Sequence, residues 1–375
     1  MKTRAQIASA KRIVLKVGSS VLSRDDAPVF HEAFFALARD VAGVRATGRL
    51  VVVVSSGAVA LGVARLGLAV RPVSIHAKQA VAAVGQGALM HQYAEAFAVH
   101  GMTVAQVLLT HDDLRDRRRF LNARRTFQEL FELGVIPIVN ENDTVAFEEI
   151  QFGDNDRLAA LVTNVVEAGL LVLLTDCDGV FDRDPAAPGA KRISVVHDVS
   201  EVVKTIDFGK KSRVGTGGMP SKLEAAQTAS EFGVATAIVN GHEPHAIRRL
   251  LAGDDVGTVV LPSARSLGAR KHWIAFGASP AGTIHVDAGA KRALVKAQKS
   301  LLPSGITRCE GAFEMGDAVR IVGPDGVEFA RGLVNYASAD VARIAGKKTT
   351  DIERILGTRT ADEVVHRDDL VTGER

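Results

Sequence analysis

The chain has 375 residues, of which 47% are hydrophobic and 24% charged, and its formal net charge is +3. This length favours two domains, and an aromatic content of only 5% favours an α/β protein with buried aliphatic strands. A net charge this small does not by itself indicate nucleic-acid binding. No apolar run reaches the roughly 18 residues that a membrane span needs. Cys177 and Cys309 form no metal or redox spacing, so we expect a protein of the reducing cytoplasm.

The first predicted strand, residues 13–17, contains Lys16 and runs into a Gly-Ser-Ser turn at 18–20. An ammonium group is costly to bury unless it meets an anion, and the N–H groups of such a turn can approach the same anion. We therefore interpret Lys16 as a candidate anion-binding residue. A lysine on an edge strand that reaches solvent would give the same local pattern.

A predicted helix over 31–47 leads to a second strand, residues 50–54, which also ends in small residues, including Ser56. In an open α/β sheet, ligands gather at the carboxyl ends of the strands, so the two turns should face one crevice. A further helix over 74–100 contains Gly85-Gln86-Gly87, which indicates a point of close packing or of ligand approach. The next predicted strand, 103–109, precedes His111, which we interpret as a capping or core histidine rather than an acid or base.

The densest polar cluster follows a predicted strand over 134–139. It comprises residues 140–143, Asn-Glu-Asn-Asp, and residues 153–156, Gly-Asp-Asn-Asp. Any one of these residues could be a turn or helix-cap residue, because Asx side chains bond nearby backbone N–H groups. Two such clusters on one loop exceed what capping requires, so we predict a site for a small polar ligand, an amine or a metal-bound phosphate.

Two later segments have the features of a nucleotide site. Thr175 and Asp176 follow a predicted strand over 170–174 and open a segment of tight Asp/Gly turns, which could equally be structural. A glycine-rich segment over 215–222 then opens a predicted helix over 223–232 and places Lys222 near its N-terminus, where anions bind. Together, Lys16 and Lys222 would offer two ammonium groups to one polyphosphate.

The strand and helix pattern predicts an α/β domain over residues 1–262, with residues 234–239 as its last strand. A linker over 263–280 follows. Short Val/Ile runs between glycines then predict a small β-rich domain over 281–375.

Together these segments resemble the amino acid kinase superfamily, and they are most similar to its glutamate 5-kinase branch. The resemblance rests on KVGSS at Lys16, VSSGAVALG at Ser56, VNENDTV, FGDNDRLAA, LLTDCDGVF and GTGGMPSK. The C-terminal part resembles a PUA domain through GDAV at 316–319 and RGLVNY at 331–336. One departure is Ser221, where the family more often has threonine. The resemblance implies a three-layer αβα fold with a mainly parallel central sheet, followed by a small β-barrel-like PUA domain.

The resemblance also implies ATP-dependent phosphorylation of the γ-carboxylate of L-glutamate, the first step of proline biosynthesis, with ATP and Mg²⁺ as cofactors. It assigns catalysis to Lys16, Lys222 and Asp156, with Asp156 orienting the two lysines. It assigns glutamate binding to Ser56, Asp143 and Asn155, with Asp143 facing the α-ammonium. It assigns no residue of the chain as a ligand of Mg²⁺. The residues it assigns to the nucleotide are Lys16, Thr175, Asp176, Thr216, Gly217, Gly218, Met219, Pro220, Ser221 and Lys222.

Two alternatives remain open on the sequence. A sibling kinase would act on another acceptor, such as acetylglutamate or UMP. An RNA-binding protein would use basic residues of the PUA domain, although this stretch lacks interleaved aromatic residues for base stacking; those basic residues are Lys291, Arg292, Lys296 and Lys299. The resemblance further implies assembly into a dimer or tetramer, and inhibition by proline at a site overlapping that of glutamate. The feature that supports this inhibition is the polar loop 141–151, which is longer than a strand-to-helix connection needs.

Overall fold

In the computed structural model, the chain divides into two compact units. One comprises Met1–Leu114 and Arg118–Ser266, and the other comprises Leu267–Arg375 and Arg115–Arg117. The structure describes residues 4–22, 31–146, 154–205, 218–262, 274 and 278–373. Most of the predicted linker lies outside the described residues, as do Thr216, Gly217 and part of the loop 141–151. The predicted domain boundaries therefore stay predictions.

The described part of the first unit contains eight strands of one sheet. They are β1 (Arg12–Val17), β2 (Leu50–Ser55), β3 (Val104–Leu109), β4 (Ile136–Glu141), β5 (Leu170–Thr175), β6 (Val195–Val196), β7 (Ala235–Asn240) and β8 (Thr258–Val260). The helices are α1 (Ser19–Leu22), α2 (His31–Arg45), α3 (Ala58–Arg65), α4 (Ile75–Ala98), α5 (His111–Arg115), α6 (Arg117–Glu132), α7 (Asp154–Val165), α8 (Val199–Thr205), α9 (Met219–Glu231) and α10 (Ala246–Ala252).

The strand order is β3-β4-β2-β1-β5-β7-β8-β6, and neighbouring strands run parallel except β7 and β8. The mainly parallel sheet is thus confirmed, and the predicted strand ends agree to within about two residues. The prediction that residues 234–239 form the last strand is wrong, because β8 pairs antiparallel with β7. Strand β8 has only three residues, which is too short a run for the sequence to show a strand pattern.

The residues on the two faces of β1 show how helices pack on both sides of the sheet. Side chains alternate across a strand, and Ile13, Leu15 and Val17 lie in a core cluster with residues of α2, α4 and α10. Lys16 is on the opposite face, where β1 contacts α7. Because helices cover both faces of the sheet, β5 is buried at every residue. This arrangement is the predicted αβα fold, and it directs Lys16 towards α7.

Gly85 on α4 marks a close approach between two helices. A Cβ atom at Gly85 would lie 1.8 Å from the carbonyl oxygen of Ala58 on α3. The prediction of close packing at this glycine is confirmed. The next residue, Gln86, is therefore held on a rigidly placed turn of α4.

The second unit combines a five-stranded sheet with helices. The described elements are β9 (Gly282–Val286), α11 (Ala288–Ala297), β10 (Ile306–Gly311), β11 (Ala318–Val322), β12 (Glu328–Val334), α12 (Ser338–Ile344), α13 (Ile352–Leu356) and β13 (Val365–Thr372). The strand order is β10-β9-β11-β12-β13, with only β9 and β11 parallel among these pairs. Its core is built around Phe313, Phe329 and Tyr336. The β-rich prediction is confirmed, but it omitted the helices.

Candidate active site

Three buried charged side chains meet on the α7 face of the sheet. Asp156, in the first turn of α7, is fully buried. Its Oδ1 lies 2.6 Å from Lys16 Nζ, and its Oδ2 lies 3.6 Å from Lys222 Nζ. Ser221 Oγ donates a hydrogen bond to Oδ2 at 3.0 Å. The structure thus brings together the three residues predicted for catalysis, and it gives Ser221 a contact that the sequence did not predict.

The local sequence explains how Lys222 reaches this cluster. Gly218 is the N-cap of α9 in an extended conformation, and Pro220 lies in the first helical turn, where its fixed φ suits the helix and its missing N–H costs nothing. Helix α9 therefore begins at Met219, four residues earlier than predicted. Lys222 lies within the first turn of α9 and is 5% exposed, as is Lys16 on β1.

The electrostatics of the cluster favour an anion. Burial opposes ionisation of Asp156, but the charges of Lys16 and Lys222 and the hydrogen bonds of Lys16 and Ser221 hold the pKa of its carboxyl below the ordinary value. Burial lowers the pKa of Lys16, which Asp156 opposes and Lys222 reinforces. Two lysines thus face one ionised carboxylate, and a phosphate group would balance the excess positive charge.

A second group of predicted residues meets beside Asp156. Asn155 Nδ2 lies within hydrogen-bonding distance of Ser56 Oγ and Asn140 Oδ1, both at 3.1 Å, and of the carbonyl oxygen of Ser55 at 3.2 Å. Strands β2 and β4 are neighbours in the sheet, and α7 begins beside them, so three elements contribute to this polar group. The structure therefore joins Ser56 and Asn155, as predicted for one binding site.

Acidic residues accumulate at the end of β4. Strand β4 extends two residues beyond the predicted end at Val139, through Asn140 and Glu141, and both are buried. Glu141 Oε1 lies 3.5 Å from Nδ1 of His111, which is only 4% exposed, so the core interpretation of His111 is confirmed. Burial and the charge of Glu141 raise the pKa of Asp143 to about 6. Two neighbouring carboxyl groups of this kind would favour a cationic ligand.

Among the described residues predicted for the nucleotide, Thr175 and Asp176 lie at the carboxyl end of β5, and residues 218–222 lie at the start of α9. Thr175 is the last residue of β5, and its Oγ1 donates to Asp176 Oδ1 at 3.0 Å. The turn that follows is tied to β8, since Thr258 Oγ1 accepts from Val180 N at 2.8 Å. A Cβ at Gly179 would lie 2.6 Å from the same oxygen. This region offers exposed polar groups on a firmly held turn.

One contact near this polar group was not predicted from the sequence. The amide of Gln86 on α4 contacts Asn140, with Asn140 Nδ2 donating to Gln86 Oε1 at 2.8 Å. The sequence signal was the Gly85-Gln86-Gly87 segment, which indicated close packing or ligand approach without naming a partner. In the part of the chain that the structure describes, no helix is both long and apolar enough to cross a membrane.

The fold and the pair of buried lysines near the carboxyl ends of its parallel strands together indicate a class of protein, which comparison with known proteins identifies. The family model described as "Amino acid kinase family" matches residues 11–240, and the model described as "PUA domain" matches residues 282–356. The chain is similar to the glutamate 5-kinase of Geobacter sulfurreducens, with 51% identity over 366 residues, covering 97% of this chain and 98% of that protein. It is 50% identical to the glutamate 5-kinase of Pelobacter propionicus over 362 residues, covering 96% and 97%.

The chain belongs to the amino acid kinase family, and within it to the glutamate 5-kinases. Among solved structures, the UMP kinase of Bacillus anthracis aligns with a TM-score of 0.48 and 15% identity, covering 68% of this chain and 97% of that chain.

Proposed function

We propose that this protein transfers the γ-phosphoryl group of ATP to the γ-carboxylate of L-glutamate, giving L-glutamyl 5-phosphate and ADP. This is the first step of proline biosynthesis. The observation that carries the proposal is the placement of two buried lysines on one buried carboxylate, at 2.6 and 3.6 Å from Asp156. Asn155 precedes Asp156 in the chain and contacts Ser56, so the acceptor site adjoins the phosphate site.

Phosphoryl transfer requires that the acceptor and the γ-phosphate are aligned and that the negative charge on the transferred group is neutralised. In phosphoryl transfer, negative charge spreads over the oxygens of the transferred group, and preorganised cations stabilise it. Lys16 and Lys222 supply these cations, and Asp156, which accepts a hydrogen bond from Ser221 Oγ, holds them in position. A carboxylate acceptor is already deprotonated at neutral pH, so no general base is required. His111, buried against Glu141, therefore needs no part in proton transfer.

ATP would bind across the carboxyl end of β5 and the N-terminus of α9. The free N–H groups and the dipole at the N-terminus of α9 favour phosphate, with Gly218 allowing close approach of the backbone. Thr175 and Asp176 would contact the nucleotide from β5. We assign Met219, Pro220 and Ser221 to the same site because they form the first turn of α9.

Magnesium would arrive with the nucleotide. Among the residues that the structure describes, no group of three or more His, Cys, Asp and Glu side chains could hold a metal ion. Both oxygens of Asp156 face lysines. We propose that Mg²⁺ binds through the phosphates of ATP, as it commonly does in kinases, and there neutralises charge on the β- and γ-phosphates.

The proposal extends to inhibition by proline at a site overlapping that of glutamate, to assembly into a homo-oligomer and to a cytoplasmic location. We place the kinase domain at residues 1–262 and the PUA domain at 281–375.

RNA binding by the PUA domain has less support. Lys291, one of the basic residues considered for it, is paired with Asp325 at 2.6 Å.

Release of ADP from purified protein tests the proposed reaction. We expect turnover with ATP, Mg²⁺ and L-glutamate, and turnover at least about a hundredfold lower with acetylglutamate, aspartate or UMP, because a built polar site rejects ligands that leave its groups unpaired. Equal or faster turnover with another acceptor would retain the phosphate site but contradict the proposed substrate. Salt-sensitive retention of RNA by the full chain without glutamate-dependent turnover would favour the RNA-binding alternative.

The pH dependence of glutamate binding tests the role of Asp143. Its pKa is raised to about 6 in the ligand-free protein, and only the ionised form attracts an α-ammonium group. Below this pH the carboxyl group must release a proton when glutamate binds. We therefore expect the KM for glutamate to rise by about tenfold per pH unit below the pKa and to level off above it.

The matched variant is Asp143→Asn, which cannot ionise at this position. Its KM for glutamate should be raised at pH 8 and nearly constant between pH 5 and pH 8, whereas the KM for ATP should match that of the unmodified protein. A variant that keeps the steep rise of KM at low pH would show that another group controls glutamate binding.

A further inference from the structure

A ladder of three carboxamide side chains connects α4 to the proposed acceptor site. Asn140 Nδ2 donates to Gln86 Oε1 at 2.8 Å, and Asn140 Oδ1 accepts from Asn155 Nδ2 at 3.1 Å. Asn140 is 2% exposed, so its amide has no bulk water as an alternative partner. The Asn140 amide therefore depends on Gln86 and Asn155 for its hydrogen bonds.

The ladder has a direction, because each carboxamide has one donor end and one acceptor end. Gln86 presents its oxygen to Asn140, which fixes the Asn140 nitrogen on that side and its oxygen towards Asn155. A reversed Asn140 would place its NH₂ group against the NH₂ group of Asn155. The orientation of Asn140 thus reinforces that of Asn155, whose nitrogen also faces the carbonyl oxygen of Ser55 at 3.2 Å.

The last amide of the ladder leaves an acceptor without a partner. The Asn155 nitrogen faces Ser56 and Asn140, and Asn155 Oδ1 is buried with no hydrogen-bond partner within the described ranges. An unpaired buried acceptor is costly, and a ligand that brings a donor removes the cost. The α-ammonium of an amino acid is such a donor. A carboxylate group of a ligand could not take the place of this ammonium group, because its oxygens only accept hydrogen bonds.

Helix α4 is well placed to hold the ladder. Gln86 follows Gly85, whose close contact with α3 fixes this turn of the helix. Gln79, about two turns earlier on the same face, donates from Nε2 to the carbonyl oxygen of Ala146 at 3.0 Å. Two glutamines of one helix face thus hold the end of β4 and the segment that follows Asp143.

We propose that Gln86 is a positioning residue for the acceptor amino acid. It orients Asn140 and, through Asn140, helps to hold Asn155 in the orientation in which Oδ1 can accept a hydrogen bond from the α-ammonium of glutamate. This inference rests on the proposed function. Gln86 acts through two other side chains, so it should influence recognition of the ammonium group and leave phosphoryl transfer unchanged.

The test is Gln86→Met, which keeps the approximate size of the side chain and removes its hydrogen bonds. We expect the KM for glutamate to rise about tenfold, the loss of roughly one hydrogen bond to a charged group. The kcat and the KM for ATP should stay within about twofold. Glutarate, which lacks the α-ammonium, should inhibit the variant and the unmodified protein competitively with the same Ki.

Two further variants sharpen the comparison. Gln86→Glu keeps an oxygen for the Asn140 amide, so its KM for glutamate should stay within about threefold of the unmodified value. Gln92→Met is the matched control, since Gln92 is on the same helix and its Oε1 has no hydrogen-bond partner in the described parts of the chain. Its kinetic constants should be unchanged.

An unchanged KM for glutamate in Gln86→Met would overturn the inference. So would a parallel rise in the Ki for glutarate, because a merely structural defect would weaken both ligands. If Gln86→Met does not fold, Gln86→Ala repeats the test, as alanine is the strongest helix former. Failure of the proposed function would look different, because the unmodified protein would then show no glutamate-dependent turnover.

Discussion

Replacing Asp156 by asparagine is expected to lower kcat by about a thousandfold, the scale of losing one preorganised electrostatic group. The carboxylate is fully buried and lies 2.6 Å from Lys16 Nζ and 3.6 Å from Lys222 Nζ. Without its charge the two ammonium groups repel each other in a buried site. The pKa of Lys16, which burial already lowers, would fall further. One of the two cations that stabilise the transferred phosphoryl group would then be lost or displaced.

The same substitution should also destabilise the protein, by about 3 kcal/mol at neutral pH, because it leaves buried charges without their partner. Bound ATP should restore part of this stability, since its phosphates neutralise the same lysines. The measurements are kcat from ADP release and the free energy of unfolding from urea titration, with and without ATP. Asp362→Asn, which removes an exposed carboxylate paired with Arg359, is the control and should change neither quantity. A kcat within tenfold of the unmodified value would contradict the role given to Asp156.

Most strands of the first unit could be predicted because each is marked by its own local run of apolar residues. Residues 170–174 are a continuous aliphatic run, and residues 13–17 are aliphatic except for Lys16, as expected for strands buried on both faces. The three-residue strand β8 carried no such signal, and its pairing with β7 depends on contacts such as the Thr258 bond to Val180 N. The end of β4 was also missed, because Asn140 and Glu141 are unusual residues for a buried strand. They are buried here because Gln86 and His111 supply their partners.

The site was predictable only in part, for a related reason. Local pattern showed that Lys16 needs an anion, but alternation along a strand does not reveal which element faces it. Asp156 is far from Lys16 in the sequence, and its place opposite both lysines came from the family resemblance. Gln86 lies in the Gly85-Gln86-Gly87 segment, which indicated close packing or ligand approach but not a contact with Asn140. Its contact with Asn140 exists only because α4 packs closely on α3 through Gly85.

Replacing Lys16 by methionine should lower kcat by about a thousandfold and affect stability little. Methionine keeps an unbranched apolar stem but supplies no positive charge to the transferred phosphoryl group. Asp156 would retain Lys222 at 3.6 Å and the Ser221 hydroxyl at 3.0 Å. Removing a buried ammonium also removes its desolvation penalty, so the free energy of unfolding should change by less than about 1 kcal/mol. Lys16→Arg should fail to restore kcat, because a planar guanidinium is larger than the ammonium that this buried position holds.

The comparison between Lys16→Met and Asp156→Asn separates catalysis from structural support. Both variants should lose turnover, but only the aspartate variant should lose several kcal/mol of stability, because only it leaves uncompensated charge in the core. Lys11→Met provides the control, since Lys11 is exposed just before β1 and its replacement should leave kcat unchanged. If Lys16→Met instead loses about 3 kcal/mol together with its activity, the lysine chiefly holds Asp156 in place. If it retains kcat within tenfold, Lys222 with Mg²⁺ alone would carry the charge stabilisation, and the two-lysine arrangement would have to be abandoned.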